Sequence, residues 1–296
     1  MKRKNLLKIL VLFILAGSIA NAEYLKENGE IYYKMPYYEI KSKVKDVDIE
    51  SFEPLKEDRG LIGDYYAKDN KYVYFYGKRL KDVLPEGFET VKENYVKDSK
   101  NVYYIQLDPL YILDTDNDLK DNALKNVVKV LKGANPNTFE VINDYYSKDD
   151  KNIFYISWIV EKEPLIKGVD IKTFEVLNND FSKDKNNVYF GTDRKEDLDS
   201  KSFKILNLNS QNRNGYYLED KNGIYFLKIN DIGNYFNKVT DKGKFLNDFY
   251  IKNNDYVYCN EDVLNEADPN TFKVVDEHSS RAEDKNHKYE YCKIIK

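Results

Sequence analysis

The chain has 296 residues with 47 basic and 51 acidic side chains, 27 tyrosines, two cysteines and one tryptophan, for a formal net charge of −4. Lysines and acids are interleaved, which reads as a solvated surface, and the acidic balance excludes a general nucleic-acid binder, because neutralising phosphates needs clustered positive charge. After the first 22 residues no segment approaches about 18 consecutive apolar residues, so no membrane insertion is expected of the rest of the chain.

At the amino terminus, Lys2, Arg3 and Lys4 form a basic stretch, Leu6 to Ile14 is an almost unbroken apolar run, and Ala20-Asn21-Ala22 supplies a small-x-small cleavage pattern. Residues 1–22 are therefore expected to be a signal peptide, cut after Ala22, and the protein to be exported to the periplasm or secreted. A lipid anchor would require Cys directly after Leu15-Ala16-Gly17, where Ser18 stands, so none is expected. Loss of the four basic residues in 1–22 leaves 43 basic against 51 acidic side chains, a net charge of −8.

Residues 23–296 are organised by repetition. Eight twelve-residue phrases align without a gap, starting at Glu23, Tyr65, Asn94, Tyr145, Asp180, Tyr216, Phe249 and Ser280; "NYVKDSKNVYYI" and "DFSKDKNNVYFG" are two of them. A period near 35 residues marks a supersecondary unit. Within each phrase, positions 2–3 and 9–11 are rich in aromatic and β-branched residues, and positions 5–8 carry the Asp, Lys, Asn and Gly that close turns. The phrase is a β-hairpin in which position 4 faces 9, 3 faces 10 and 2 faces 11. Aromatics then pair across the strands, as Tyr95 with Tyr104 and Tyr146 with Tyr155, each pair worth roughly 0.2–1 kcal/mol. Both faces of such a hairpin are partly apolar, so each must stack on a neighbour. A second phrase precedes most copies, "SFEPL" at Ser51, "TFEVI" at Thr138 and "TFKVV" at Thr271 among them; before Phe249 it is degraded to "KGKFL".

"KDKNNVYF", "KDSKNVYY" and "EDKNGIYF" resemble the repeats of the DKNYY family of bacterial proteins, over essentially all of residues 23–296. The resemblance implies a repeat architecture and carries no activity or catalytic residues with it. The end copies depart most from the pattern, with Arg281 at position 2 and Lys288 at position 9 of the last, as capping repeats do. The fold is expected to be all-β, with tandem hairpin or meander repeats forming an open stacked array; the alternative is a β-propeller.

One interval, 106–134, reads as an insertion. Leu119, Ala123, Leu124, Val127, Val128 and Leu131 recur at helical spacing, predicting an α-helix over 118–131 that ends before Gly133. Asp114, Asp116 and Asp118 imitate the first ligands of a calcium loop, but Leu119 stands at the required glycine and Lys125 at the required glutamate, so helix capping accounts for the acids better.

Candidates for catalysis are few. His278 and His287 are not in a metal-binding spacing, and no nucleophile elbow or phosphate loop is present. The acid at position 5 (Asp69, Asp98, Asp149, Asp184, Asp220, Asp284) repeats at six turns, which reads as a turn requirement, because a catalytic centre needs different groups converging on one place. Cys259 and Cys292 are expected to form a disulfide, since stacked hairpins bring them within about 5–9 Å and export removes the reducing cytosol. The reading is a non-enzymatic binding or scaffold protein of the envelope or exterior, without cofactor, whose partner is an envelope protein or glycan. One alternative is a cell-wall glycan-binding module, because "YLKENGEIYYK" is also similar to aromatic wall-binding hairpin repeats, although those are rich in Trp and here Trp158 stands alone. The other is an enzyme that uses the 106–134 insertion.

Overall fold

The computed structural model describes residues 23–35, 40–55, 65–92, 95–105, 128–157, 163–207, 215–229, 235–276 and 278–295. Two compact units divide the chain at Lys151/Asn152. Among the described residues every sheet is a small antiparallel meander of three or four strands, in chain order, and no sheet closes into a barrel.

The first unit begins with β1 (Glu23–Glu27), β2 (Glu30–Met35) and β3 (Ile40–Lys43). A second sheet holds β4 (Glu53–Leu55), β5 (Tyr66–Lys68), β6 (Val73–Phe75) and β7 (Lys78–Arg79), and a third holds β8 (Glu89–Lys92), β9 (Tyr95–Lys97), β10 (Val102–Ile105) and β11 (Val128–Val130). β12 (Glu140–Val141) and β13 (Tyr146–Lys148) follow, and β14 (Ile153–Tyr155) opens the second unit. That unit continues with four four-stranded sheets among the described residues. The first is β15 (Glu175–Val176), β16 (Phe181–Lys183), β17 (Val188–Phe190) and β18 (Asp193–Lys195). The next is β19 (Lys204–Ile205), β20 (Gly215–Asp220), β21 (Gly223–Lys228) and β22 (Tyr235–Thr240), followed by β23 (Lys244–Phe245), β24 (Tyr250–Lys252), β25 (Val257–Cys259) and β26 (Asp262–Val263). The last sheet is β27 (Lys273–Val274), β28 (Arg281–Glu283), β29 (Lys288–Glu290) and β30 (Lys293–Ile295).

The hairpin register follows from the alternation of the phrase. Val102 faces Lys97, Tyr103 faces Val96 and Tyr104 faces Tyr95, and the same 9–4, 10–3 and 11–2 pairing recurs in β5–β6, β16–β17, β20–β21, β24–β25 and β28–β29. Paired rings at positions 2 and 11 lie close, with centroids 4.7 Å apart for Tyr66–Phe75 and 5.0 Å for Phe181–Phe190.

Because successive side chains alternate faces, positions 2, 9 and 11 of one hairpin meet positions 3 and 10 of the next. In the second unit, Tyr250, Val257 and Cys259 pack against Ala282 and Tyr289, while Ile251 and Tyr258 on the other face meet Tyr217, Ile224 and Phe226. The phenylalanine of the second phrase packs on the position-2 ring of the preceding hairpin: Phe88 lies 5.7 Å from Tyr66, Phe139 5.2 Å from Tyr95, Phe203 5.8 Å from Phe181 and Phe272 5.2 Å from Tyr250. In "KGKFL", Phe245 faces Ile251, the place held by Val176 opposite Ser182, yet its ring still reaches Tyr217 at 5.8 Å.

The end of the expected helix is corrected. Val128–Val130 is strand β11, with Tyr103 facing Val130 and Ile105 facing Val128; residues 118–127, with the rest of that helix, lie outside the described residues. The β-branched Val128 and Val130 complete the open edge of β10, and Leu131 donates its N–H to the Val102 carbonyl at 2.8 Å. Leu80 and Leu264 donate in the same way to Val73 and Val257, so Leu131 belongs to the repeat and not to a helix.

Candidate functional site: a carboxylate hub in each repeat

The acid at position 5 of the hairpin does more than close its turn. Asp98 is buried, and its Oδ1 accepts the backbone N–H groups of Lys100 and Asn101, both at 2.7 Å, as an Asx turn. Its Oδ2 accepts the backbone N–H of Leu84 at 2.9 Å, from the loop before β8, and the Tyr103 hydroxyl at 2.7 Å. Tyr103 is in reach because position 10, the second residue of the return strand, lies on the face toward that loop, where its hydroxyl also lies 2.8 Å from the Asp82 carbonyl. The constellation recurs. Asp69 accepts from Asp48, Lys71 and Tyr72 N–H and from the Tyr74 hydroxyl. Asp184 accepts from Asp170, Asn186 and Asn187 N–H and from Tyr189. Asp284 accepts from Asp268, Asn286 and His287 N–H and from Tyr289. Asp149 and Asp220 take the corresponding loop N–H groups of Asn135 and Asp199.

Four donors fill the lone-pair directions of a carboxylate, and this sets its electrostatics. Burial by itself raises the carboxyls of Asp69, Asp98, Asp184 and Asp284, but the backbone N–H and tyrosine donors outweigh it, so all four lie below the ordinary range, Asp284 at about 2. The tyrosines move the other way. Burial first, and then the bond to the aspartate, raises the phenols of Tyr74, Tyr103, Tyr189 and Tyr289, Tyr189 to about 12.

The loop partner carries a pattern of its own that the hairpin phrase does not disclose. Asp48, Asn135, Asp170, Asp199 and Asp268 each stand four residues before the phenylalanine of the second phrase, and the Ser or Thr just before that phenylalanine accepts the N–H of position 6. Lysines at position 6 return an ion pair to the loop acid: Lys185 to Asp170 at 2.6 Å, Lys221 to Asp199 at 2.8 Å and Lys285 to Asp268 at 2.8 Å. The readable signal is Asp/Asn-x-x-Ser/Thr-Phe, which begins three residues before the Ser or Thr that opens the second phrase. The seventh copy inverts the polarity. Asn253 still accepts Asp255 and Tyr256 N–H, but its Nδ2 donates to Thr240 Oγ1 at 3.1 Å and to the Tyr258 hydroxyl at 3.2 Å.

Of the other residues singled out, Asp114, Asp116 and Asp118 lie outside the described residues. Cys259 and Cys292 are bonded, with Cα atoms 5.6 Å apart. His278 Nδ1 lies 3.3 Å from Asp248 Oδ2, and His287 Nδ1 lies 3.4 Å from the Tyr289 hydroxyl, so the two rings serve separate places. Among the described residues no group of three or more His, Cys, Asp or Glu is placed to hold a metal ion.

The hub, its tyrosine and its turn asparagines are the residues that recur in the hairpin phrase, and the DKNYY family profile matches residues 24–193, 181–240 and 233–293. The chain belongs to the DKNYY family. No curated protein and no solved structure matches it significantly. In this DKNYY chain the Asp of the phrase is the hub, the residues two and three places after it supply the turn N–H groups, and the first Tyr of the return strand is the hydroxyl donor.

Proposed function

We propose that the chain is a binding or scaffold protein of the cell envelope or exterior that performs no catalysis of its own. The observation that carries this reading is the engagement of the hub carboxylates. The one acid that recurs in nearly every repeat accepts up to four hydrogen bonds from its own protein, which leaves it no lone pair for a proton or a metal and commits it to architecture. The abundant tyrosines are committed likewise, for Tyr74, Tyr103, Tyr146, Tyr189, Tyr217 and Tyr250 are all buried. What a partner meets is therefore the outer surface of the stacked meanders. Tyr235, Tyr256 and Tyr291 are exposed at 52%, 51% and 68%, and an exposed phenol offers the flat amphipathic surface that suits protein or glycan recognition.

Export through residues 1–22 would deliver this surface to the envelope or to the exterior. Expression of the full chain should yield a protein outside the cytoplasm whose first residue is Glu23; retention of residues 1–22 in a cytoplasmic product overturns the location. For the binding reading, the mature chain is offered to envelope proteins and to purified cell-wall glycan beside the triple variant Tyr235→Ser, Tyr256→Ser, Tyr291→Ser. Partners retained by the wild type and lost by the variant support recognition through these rings. Turnover of an envelope polymer, abolished by Asp114→Asn or Asp116→Asn and unchanged in the triple variant, replaces the proposal with an enzyme seated in the 106–134 insertion.

A further inference from the structure

We infer that the Cys259–Cys292 bond is a redox latch that holds the last repeat, β27–β30, on the rest of its unit. The inference starts from the turn between the third and fourth strands of a repeat. In the second repeat that turn is Tyr76-Gly77, with φ of 50° and 72°. A Cβ added to Gly77 would lie 2.5 Å from Cβ of Tyr33, the position-11 residue of the preceding repeat. Stacking thus drives this turn against position 11 of its neighbour, and glycine makes the approach possible. In the last repeat the same turn is Tyr291-Cys292, with φ of 47° and 66°, and the neighbour's position 11 is Cys259. A side chain stands where the second repeat has none, and it is bonded to the residue it would otherwise press upon.

Two further observations make the bond a latch. Left-handed backbone disfavours side chains with a Cβ, and here two consecutive non-glycine residues adopt it with no intrinsic preference for doing so. The last sheet also has a single apolar face. Ala282 and Tyr289 point inward with Phe272, while Arg281, Lys288 and Glu290 occupy the places that in the preceding repeat are Tyr250, Val257 and Cys259, and Arg281 pairs outward with Glu290 at 2.8 Å. Inner repeats are held from both sides; this one is held from one side and by the bond.

The chemistry is thiol–disulfide exchange with a dithiol reductant. One reductant thiolate attacks Cys292 Sγ, on the less buried of the two cysteines, forming a mixed disulfide, and Cys259 leaves as a thiolate that takes up a proton. The second reductant thiol then displaces Cys292, which is also protonated, and the reductant departs as its own disulfide. The protein has gained two electrons and two protons. The Tyr291-Cys292 turn then relaxes, the last repeat detaches, and the Tyr250 and Val257 face of β24–β25 opens to solvent.

The test is hydrogen exchange on the mature full-length chain, oxidised and after treatment with dithiothreitol, with a thiol titration of the oxidised sample. The bond closes a separation of 33 residues, so its loss should speed exchange of the amides in β28–β30 on the order of 100-fold, with added binding of a hydrophobic dye and unchanged exchange in β4–β10. Cys292→Gly supplies the residue that Gly77 supplies and lacks the bond; under reducing conditions its β28–β30 amides should exchange more slowly than those of the reduced wild type. Two titratable thiols in the oxidised sample, unchanged β28–β30 protection on reduction, or loss of protection throughout the chain would each overturn the latch.

Discussion

An aspartate that accepts four hydrogen bonds has a different role from one that only closes a turn, and substitutions should separate the two. Asp98→Ala strands the Leu84, Lys100 and Asn101 N–H groups beside a buried Tyr103 hydroxyl and should cost about 3 kcal/mol of stability in urea unfolding. Asp98→Asn keeps the Asx turn, as Asn253 does in its own copy, and should cost about 1 kcal/mol. The same hubs set the response to pH. Carboxyls whose folded pKa lies below the unfolded one give stability that is complete above the unfolded value, near 3.8, and is lost as pH falls through the folded value, about 2 for Asp284. The phenols are raised, so their contribution is complete below the unfolded value of 10 and is lost as pH rises through the folded one, about 12 for Tyr189. Thermal melts should therefore show a plateau between pH 4 and 10, with the midpoint falling on the acid side toward about pH 2 and on the alkaline side toward about pH 12; a melting midpoint flat from pH 2 to pH 5 would contradict the acid limb. The turn half of the aspartate's role was legible in the sequence, because Asp followed by Lys, Asn and Gly is local chemistry. The half that reaches Leu84 was not, since it joins residues 14 apart in chain order across a loop without aromatic landmarks.

The element scale shows where a local pattern misleads. The apolar spacing around Val128 and Leu131 fits a helix, and short apolar runs do not distinguish the two periods. What decides is the unpaired edge of β10 and the longer motif that Leu131 opens, Leu131 to Phe139, which matches Leu264 to Phe272 and Ile166 to Phe174 in length, in its aliphatic first residue, in the Ala or Val and Asn or Asp at its fourth and fifth places, and in its closing Thr-Phe. That repeat is present in the sequence, but only its Phe end carries an aromatic landmark. Charge pairs are another element-scale regularity: Glu175 faces Lys183 in β15–β16, while the next sheet reverses the signs with Lys204 facing Glu219. Exchanging Glu175 and Lys183 for each other should therefore leave stability within about 0.5 kcal/mol, whereas Glu175→Lys alone places like charges opposite and should lower it by up to about 1 kcal/mol. Gly77 makes a close contact between one repeat and the next. Gly77→Ala meets Tyr33 and a φ of 72° together, and should destabilise the chain by about 2–3 kcal/mol, read from denaturant midpoints.

Over the whole molecule, stacked meanders make stability a sum of neighbour interfaces. Phe203→Ala, which empties the ring between Phe181 and β19–β22, should cost about 3–5 kcal/mol and release amide protection in β15–β22 well before β4–β10. Far-ultraviolet circular dichroism should show strand with little helix; helical content above about a quarter of residues would contradict the architecture. Several features of this molecule were determined by sequence alone: the all-β class, the recurring hairpin with its register among the described residues, and the membership of the DKNYY family. Each is encoded within a dozen residues, as alternation of aromatic faces about a polar turn, and repetition averages out the ambiguity of any single copy. Only the tertiary structure decided which loop answers each aspartate, that Val128–Val130 is a fourth strand, and that Cys292 sits where the second repeat needs a glycine. Those depend on how one repeat approaches the next, a distance set by packed rings rather than by any local preference of the chain.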